Sequence, residues 1–182
     1  PGTHQVIHIP NCPIQPDRLN NVAATVVRLA EEMNFTSYDE RTGEGCLRYL
    51  TLRCDRARRA VLVTIIVGQD VGAPLRQLAE RIRELHPEVV GVALHQNLRH
   101  SNVLFAGDDL WTIGASRLDD EIGRFRIPIS PRSFLQVNHE QAEWIYERLA
   151  EVLGPAQVAA TQDAPEVVLD LYSGVGGIAL HL

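Results

Sequence analysis

Apolar residues recur at helical spacing in two segments of the first half of the chain, and both segments are predicted helices. The first begins after Pro16-Asp17 and runs through Asn34. The second, Pro74–Leu85, is followed by Pro87, as is common just beyond a helix end. The apolar positions are Leu19, Val22, Ala23, Val26, Ala30 and Met33 in the first helix and Leu75, Leu78, Ala79, Ile82 and Leu85 in the second.

Runs of β-branched and alternating apolar residues predict strands before, between and after these helices. Cys46–Cys54 and Ala60–Gly68 are expected to form a β-hairpin. The other predicted strands are His4–Ile9, Val89–Leu98, Leu110–Ala115 and Gly123–Ile127. Two helices and several strands in this order predict an α+β domain, with the helices on one face of a mostly antiparallel sheet.

Pro128-Ile129-Ser130-Pro131 is the predicted boundary between two domains, residues 1–127 and residues 128–182. The segment Ser133–Asn138 (SFLQVN) follows this boundary and leads into a predicted helix, His139–Leu153, with Asn138 as its N-cap. A polar, small-residue linker, Pro155–Pro165, then precedes the last part of the chain.

The stretch Glu166–Leu180 has the order strand, glycine turn, helix. An apolar run, Val167–Leu169, is followed by Asp170 and then by Gly174, Gly176 and Gly177. This order is typical of nucleotide-type cofactor sites, in which glycines let the ligand approach the main chain closely. An ordinary tight turn between a strand and a helix is the alternative that this stretch alone leaves open.

Composition narrows the class of protein. The chain has 182 residues, of which 45% are hydrophobic, enough for a sizeable core. No window approaches the length of about 18 apolar residues that a membrane span needs. The net charge of −6 argues against binding nucleic acid through bulk charge alone. Three cysteines are too few for a disulfide framework, so a cytoplasmic location is expected.

Three motifs together resemble the RNA (uracil-5-)-methyltransferase family, and most closely its 23S ribosomal RNA members. They are Asn11–Gln15 (NCPIQ), Ser130–Asn138 (SPRSFLQVN) and Val168–Gly177 (VLDLYSGVGG), and their order and spacing also match. The resemblance implies a monomeric, S-adenosylmethionine-dependent enzyme that acts on RNA. It also implies a central α+β domain followed by the start of a Rossmann-like methyltransferase domain.

The resemblance assigns roles to individual residues. Phe134 would line or stack in the substrate pocket, and Gln136 would hydrogen-bond the cofactor or the flipped uracil. The implied cofactor-binding residues are Gln136, Asp170, Tyr172, Gly174, Gly176 and Gly177. Some relatives carry a cofactor-contacting asparagine at position 177. Without the family, Phe134 would be interpreted as core filler and Gln136 as a solvated side chain.

Cys12 matches the last of four cysteine ligands of a 4Fe-4S cluster in the ribosomal RNA members. The other three ligands lie upstream in the family, in a segment that this chain does not contain. The catalytic cysteine and carboxylate base of the family lie beyond the glycine turn. Because the chain opens at Pro1 and stops at Leu182, we expect it to be a fragment of a longer protein, inactive alone.

Arginines concentrate around the predicted hairpin. They suit the positioning of RNA phosphates, and equally a hairpin edge protected by charge. A non-catalytic RNA-binding or assembly module that uses these arginines is one alternative to the ribosomal RNA enzyme. A transfer RNA (uracil-5-)-methyltransferase is another alternative. The arginines are Arg41, Arg48, Arg53, Arg56, Arg58 and Arg59.

Overall fold

The computed structural model describes residues 9–57, 59–101, 103–153 and 169–181. Within these residues the chain divides into two compact units between Leu118 and Asp119, here named the first and second unit. The elements of the first unit are α1 (Asp17–Glu32), β1 (Leu47–Cys54), β2 (Val61–Val67), α2 (Ala73–Leu85), β3 (Val89–Gln96) and β4 (Asp108–Gly114). Those of the second are β5 (Leu118–Ile122), whose first residue lies just before the division, β6 (Phe125–Ile129), α3 (His139–Leu153) and α4 (Gly177–His181).

The first unit contains a four-stranded sheet with the strand order β1-β2-β3-β4. The predicted hairpin of β1 and β2 is confirmed, with Thr51 opposite Thr64 and Cys54 opposite Val61. β3 pairs with β4 antiparallel but with β2 in parallel. A parallel pair needs a crossover connection, and α2 provides it. Two of these three pairings are antiparallel, which confirms the predicted α+β class.

Both helices of the first unit bury their apolar stripes in one core. Val22 and Leu29 of α1 are fully buried, as are Leu75 and Leu78 of α2. They share a hydrophobic cluster with every second residue of β2: Val61, Val63, Ile65 and Val67. Because alternate residues of a strand point to the same face, both helices cover one face of the sheet, as predicted.

The second unit begins with a hairpin that the sequence pattern only half predicts. β5 and β6 form a two-stranded sheet. β5 was not predicted because its sequence, LDDEI, contains three acidic residues, yet alternate positions along it are buried. The prediction of a strand over Gly123–Ile127 was shifted by two residues, since β6 is Phe125–Ile129 and Gly123, at φ +56°, lies in the turn.

The division between the units precedes the predicted domain boundary after Ile127. The β5–β6 hairpin is joined to α3, because the N–H of Gly123 donates to Glu143 Oε1 at 2.6 Å. The assignment of residues 1–127 and 128–182 to two functional domains stays a prediction. The predicted strand at His4–Ile9 lies outside the described residues except for Ile9, as do the first two residues of the predicted strand Val167–Leu169.

Candidate functional site

The segment Ser133–Asn138 is anchored at both ends. At its start, the N–H of Ser130 donates to Ser133 Oγ at 3.0 Å, and the N–H of Ser133 donates to the Ser130 carbonyl at 3.1 Å. At its end, the N–H of Gln141 donates to Asn138 Oδ1 at 3.2 Å, which confirms the predicted N-cap of α3. Anchoring at both ends holds the main chain between them in place.

Most side chains between these anchors are exposed. Leu135 is buried, whereas Phe134 is 70% exposed and Gln136 is exposed. The interpretation of Phe134 as core filler is therefore wrong. The exposure of Gln136 matches its interpretation as a solvated side chain, and the ligand-binding roles that the resemblance assigns to Phe134 and Gln136 stay predictions.

The glycine turn requires residues that tolerate a left-handed backbone. Tyr172, Gly174 and Gly176 have φ values of 65°, 57° and 82°. The N–H of Gly176 donates to the Ser173 carbonyl at 2.8 Å, and α4 starts at the next residue. A Cβ built on Gly176 would meet no atom within 4 Å, so the main chain of this turn is open to an approaching group.

Asp170 lies just before the glycine turn and has an unsatisfied acceptor. Its Oδ2 atom is buried and accepts no hydrogen bond within the described structure. Buried polar atoms without a partner are rare, because leaving one costs about 1–3 kcal/mol. An unused acceptor beside an open turn is the arrangement expected where a ligand supplies the donor.

The two segments that the motifs single out lie next to each other in the second unit. A Cβ built on Gly174 would be 4.0 Å from the carbonyl oxygen of Phe134. Phe134 and Gly174, which are 40 residues apart in sequence, thus bring the Ser133–Asn138 segment and the glycine turn together. The side chain of Tyr172 is not part of this contact in the described structure, because it is fully exposed.

Several residues that order this region were missed by sequence reasoning. Asp120, a buried residue of β5, lies 3.1 Å from His139 at the start of α3, measured from Oδ2 to Nε2. His181, at the end of α4, packs against aromatic rings of β6 and α3. Neither pair has a sequence signature, because each partner lies 19 or more residues away and pairs only through the fold.

Cys12 lies in a loop that a buried asparagine of α1 organises. Asn20 Oδ1 accepts hydrogen bonds from the N–H of Cys12 at 3.2 Å and from the amide of Gln15. Asn20 Nδ2 donates to the Cys12 carbonyl at 3.1 Å and to Asn11 Oδ1. The NCPIQ motif therefore has a defined conformation, held by a residue that the motif does not include.

The described residues hold no group of three or more histidine, cysteine, aspartate or glutamate side chains suited to a metal ion. All three cysteines lie in the described part of the chain, and none forms a disulfide. Burial raises the pKa of the Cys46 thiol to about 11. Its Sγ donates to the Gln69 carbonyl at 3.3 Å, so Cys46 is a structural thiol.

The described arginines of the hairpin differ in exposure, and Arg58 lies outside the described residues. The side chain of Arg48 is only 1% exposed and binds Glu40 through two hydrogen bonds of 2.9 and 2.8 Å. It also donates to three carbonyl oxygens and stacks on the rings of Tyr38 and Tyr49. Burial lowers the pKa of Arg53. The carbonyls that Arg48 binds belong to Asn97, Arg99 and Ser101.

The fold is similar to that of part of a solved methyltransferase structure. The solved structure of the tRNA (uracil-54, C5)-methyltransferase of Pyrococcus abyssi in complex with S-adenosyl-L-homocysteine matches 97% of this chain with a TM-score of 0.75. The chain covers 40% of that structure's chain, and 21% of the residues are identical. This likeness confirms the predicted α+β region followed by the start of a Rossmann-like domain.

In sequence, the chain is similar over its length to curated proteins named as uncharacterized RNA methyltransferases. It is 34% identical to one from Geobacter sulfurreducens over 182 residues and 29% identical to one from Bacillus cereus over 181 residues. A third, from Caldanaerobacter subterraneus, is 30% identical and matches 98% of the chain. The chain spans 35% to 38% of the length of these relatives. The resemblance to RNA methyltransferases is thereby confirmed.

No protein-family model matches the chain. Among the helices of residues 9–57, 59–101, 103–153 and 169–181, none has the length and apolar character that a membrane span demands.

Proposed function

We propose that the protein containing this chain is an S-adenosylmethionine-dependent RNA methyltransferase that methylates C5 of a uridine in 23S ribosomal RNA. The observation that carries the proposal is the 4.0 Å separation between a Cβ built on Gly174 and the Phe134 carbonyl oxygen. This short distance means that the two motifs lie side by side, and by resemblance these motifs bind the cofactor and the target base. The proposal of an RNA substrate is supported by the names of the relatives, and that of uracil C5 methylation by the name of the solved Pyrococcus abyssi enzyme.

The residues around the glycine turn fit the cofactor. S-adenosylmethionine carries an ammonium group and ribose hydroxyls that donate hydrogen bonds, and Asp170 Oδ2 is a buried acceptor without a donor. Gly174 and Gly176 present main chain without Cβ atoms, so the ligand can approach closely. When bound, the cofactor supplies an electrophilic methyl group on its sulfonium. Asp170, Gly174, Gly176 and Gly177 would hold it, with Tyr172 and Gln136 at the edge.

The exposed side chains of the Ser133–Asn138 segment suit the target base. A base must leave the stack, or be unpaired already, before its C5 atom can be reached. The Phe134 ring, 70% exposed, offers a surface on which such a base can stack. Gln136 carries both a donor and an acceptor, which matches the alternating edge of uracil.

The catalytic thiol is not among the cysteines of this chain. The Cys46 thiol, with a pKa of about 11, is almost fully protonated at neutral pH, whereas the family mechanism needs a thiolate that adds to C6 of the base. By resemblance, the nucleophilic cysteine and the carboxylate base lie beyond the glycine turn. The proposal therefore includes that these 182 residues alone do not transfer a methyl group.

Only the resemblance to the family suggests an iron–sulfur cluster bound by Cys12. A cubane cluster normally takes four cysteine thiolates, and the described residues offer no group of three or more metal-ligating side chains. The described residues by themselves do not fit the cluster, so no step of the reaction involves it here. A cytoplasmic, monomeric protein is the accompanying proposal.

Transfer RNA is the alternative substrate, because the solved structure with the same fold is named for a transfer RNA uridine. The discriminating experiment incubates the full-length gene product with S-adenosylmethionine labelled in its methyl group. Unmodified 23S ribosomal RNA and transfer RNA are offered separately, and the nucleosides are analysed by mass spectrometry. The expected result is 5-methyluridine in 23S RNA. Label in transfer RNA alone would select the alternative, and no 5-methyluridine in either would refute the proposal.

Two variants test the site within the same assay. Asp170→Asn and Gln136→Ala should each lower kcat/KM by about tenfold to a hundredfold, the range expected when a charged or buried hydrogen-bonding group loses its partner. The matched controls are Asp119→Asn and Gln141→Ala, whose side chains are exposed in the same unit. Equal activity in the site variants and their controls would show that the cofactor binds at other residues.

A further inference from the structure

A histidine outside the proposed ligand-binding residues fastens the glycine turn to the rest of the second unit. The Nδ1 atom of His181 donates to the Gly177 carbonyl at 2.7 Å, across one turn of α4. Its ring contacts two aromatic rings, with centroid distances of 5.1 Å to Tyr146 and 5.6 Å to Phe125. One side chain thus joins α4 to α3 and to β6.

Two glycines make room for this arrangement. A Cβ on Gly123, in the β5–β6 turn, would lie 2.7 Å from His181 Nε2. A Cβ on Gly177 would lie 2.8 Å from the hydroxyl of Tyr146. Both distances are shorter than a Cβ atom tolerates, so His181 or Tyr146 would have to move if the glycine beside it were replaced. His181, Tyr146, Phe125, Gly123 and Gly177 are named the histidine interlock.

The interlock connects α4, which follows the glycine turn directly, to α3 and to β6. Tyr146 lies on α3, whose N-cap ends the Ser133–Asn138 segment. Hence the two walls of the proposed cofactor site each continue directly into a helix, and the two helices meet at His181.

We infer that His181 is a positioning residue, which keeps the glycine turn in register with the Ser133–Asn138 segment and so sets the affinity for S-adenosylmethionine without touching it. The inference rests on the proposed function. Without the interlock, the glycine turn adopts several arrangements, of which only one binds the cofactor. The apparent affinity is then the intrinsic affinity multiplied by the fraction of molecules in that arrangement. The turnover of bound cofactor changes less, because His181 belongs to neither wall.

The test measures binding of S-adenosylhomocysteine to the full-length gene product by calorimetry, together with KM and kcat for methyl transfer. His181→Ala should raise Kd and KM about tenfold, as when a tenth of the molecules remain competent, and change kcat by less than about twofold. His181→Asn should recover part of the affinity, because its amide places a donor where Nδ1 lies. Ala179→Ser, exposed on the same helix, is the matched control and should bind as the wild type does.

A double-mutant cycle keeps the inference falsifiable if His181→Ala does not fold. Tyr146→Leu should weaken binding about threefold to tenfold, and its combination with His181→Asn should add less than the sum of the two effects, because both act through one contact. Wild-type affinity in the folded His181 variants, or strictly additive effects, would overturn the inference. Failure of the wild-type protein to bind S-adenosylhomocysteine would instead refute the proposed function.

Discussion

The imidazole Nε2 of His139 donates to the carboxylate Oδ2 of Asp120 across 3.1 Å. Asp120 is 1% exposed, and its Oδ1 accepts a second hydrogen bond from the N–H of Glu121. The pair links β5 to the first residue of α3, immediately after the Ser133–Asn138 segment. A residue in an unpredicted strand therefore anchors the start of the helix that follows a proposed wall of the cofactor site.

Replacing Asp120 tests this anchor. Asp120→Ala should lower the free energy of unfolding of the second unit by about 2 kcal/mol, because His139 and the Glu121 N–H both lose an acceptor. The measurement is urea unfolding followed by the fluorescence of Trp144 in α3, in a Trp111→Phe background. Asp119→Ala, its exposed neighbour, should stay within about 0.5 kcal/mol of the parent. Equal losses in the two variants would contradict the role of the pair.

The loop that contains Cys12 should depend on Asn20. Asn20→Ala removes the hydrogen bonds to Asn11, Cys12 and Gln15, at a cost of about 1–3 kcal/mol. Since the loop loses its fixed conformation, alkylation of Cys12 by iodoacetamide should become faster, as measured by peptide mass spectrometry. Asn21→Ala, an exposed change on the next position of α1, is the control. An unchanged rate in Asn20→Ala would show that the loop is held by other contacts.

The pair of Arg48 and Glu40 should make stability depend on pH. The hydrogen bonds from Arg48 lower the pKa of Glu40 below its ordinary value of 4.5. A carboxyl whose pKa is lower in the folded state stabilises the protein above the unfolded-state pKa, and this contribution disappears as the pH falls through the folded-state value. Glu40→Gln should therefore be less stable than the wild type at neutral pH, and the difference should shrink in acid.

Urea midpoints at neutral pH and below the pKa of Glu40 measure this effect. Glu44→Gln, a change at an exposed acid of the same turn, should follow the wild type at both pH values. A loss in Glu40→Gln that is the same at both would assign it to packing rather than to charge.

The crowding at Gly123 should be measurable in a double-mutant cycle with His181. Gly123 has φ +56°, and a Cβ built on it meets His181 Nε2, so Gly123→Ala should cost the strain of a positive φ and a further 1–3 kcal/mol, roughly, from the collision. Thermal unfolding of Gly123→Ala, His181→Ala and the double variant measures these costs. The added cost should fall when His181→Ala is combined with Gly123→Ala, and its persistence would exclude the collision as the cause.

Local patterns were sufficient for most of the first unit. The stripes of α1 and α2 follow helical spacing, and the hairpin of β1 and β2 follows β-branched composition; both are properties of neighbouring residues. The parallel pairing of β2 with β3 was not predictable in this way, because it depends on where α2 packs. β5 was missed for a related reason: the partner of its buried Asp120 lies on α3.

In the candidate site, too, local motifs were predictable from the sequence, whereas contacts between distant residues were not. Gly174, Gly176 and the Ser133–Asn138 segment were recognisable from their motifs, and the structure makes them neighbours. Asn20, Asp120 and His181, which order the surrounding segments, were not recognisable from any motif. A single polar or aromatic residue in a helix or strand has no signature until the partner that it binds is known.

The glycine at position 177 has a consequence for sequence divergence. Its φ is not positive, so the main chain does not require glycine there, and the nearness of the Tyr146 ring alone excludes a larger residue. Homologues that carry asparagine at the equivalent of Gly177 should therefore have a shorter side chain at the equivalent of Tyr146. The two positions are expected to covary, one exchange permitting the other, and an alignment in which asparagine and tyrosine occur together would mean that α3 has shifted in those proteins.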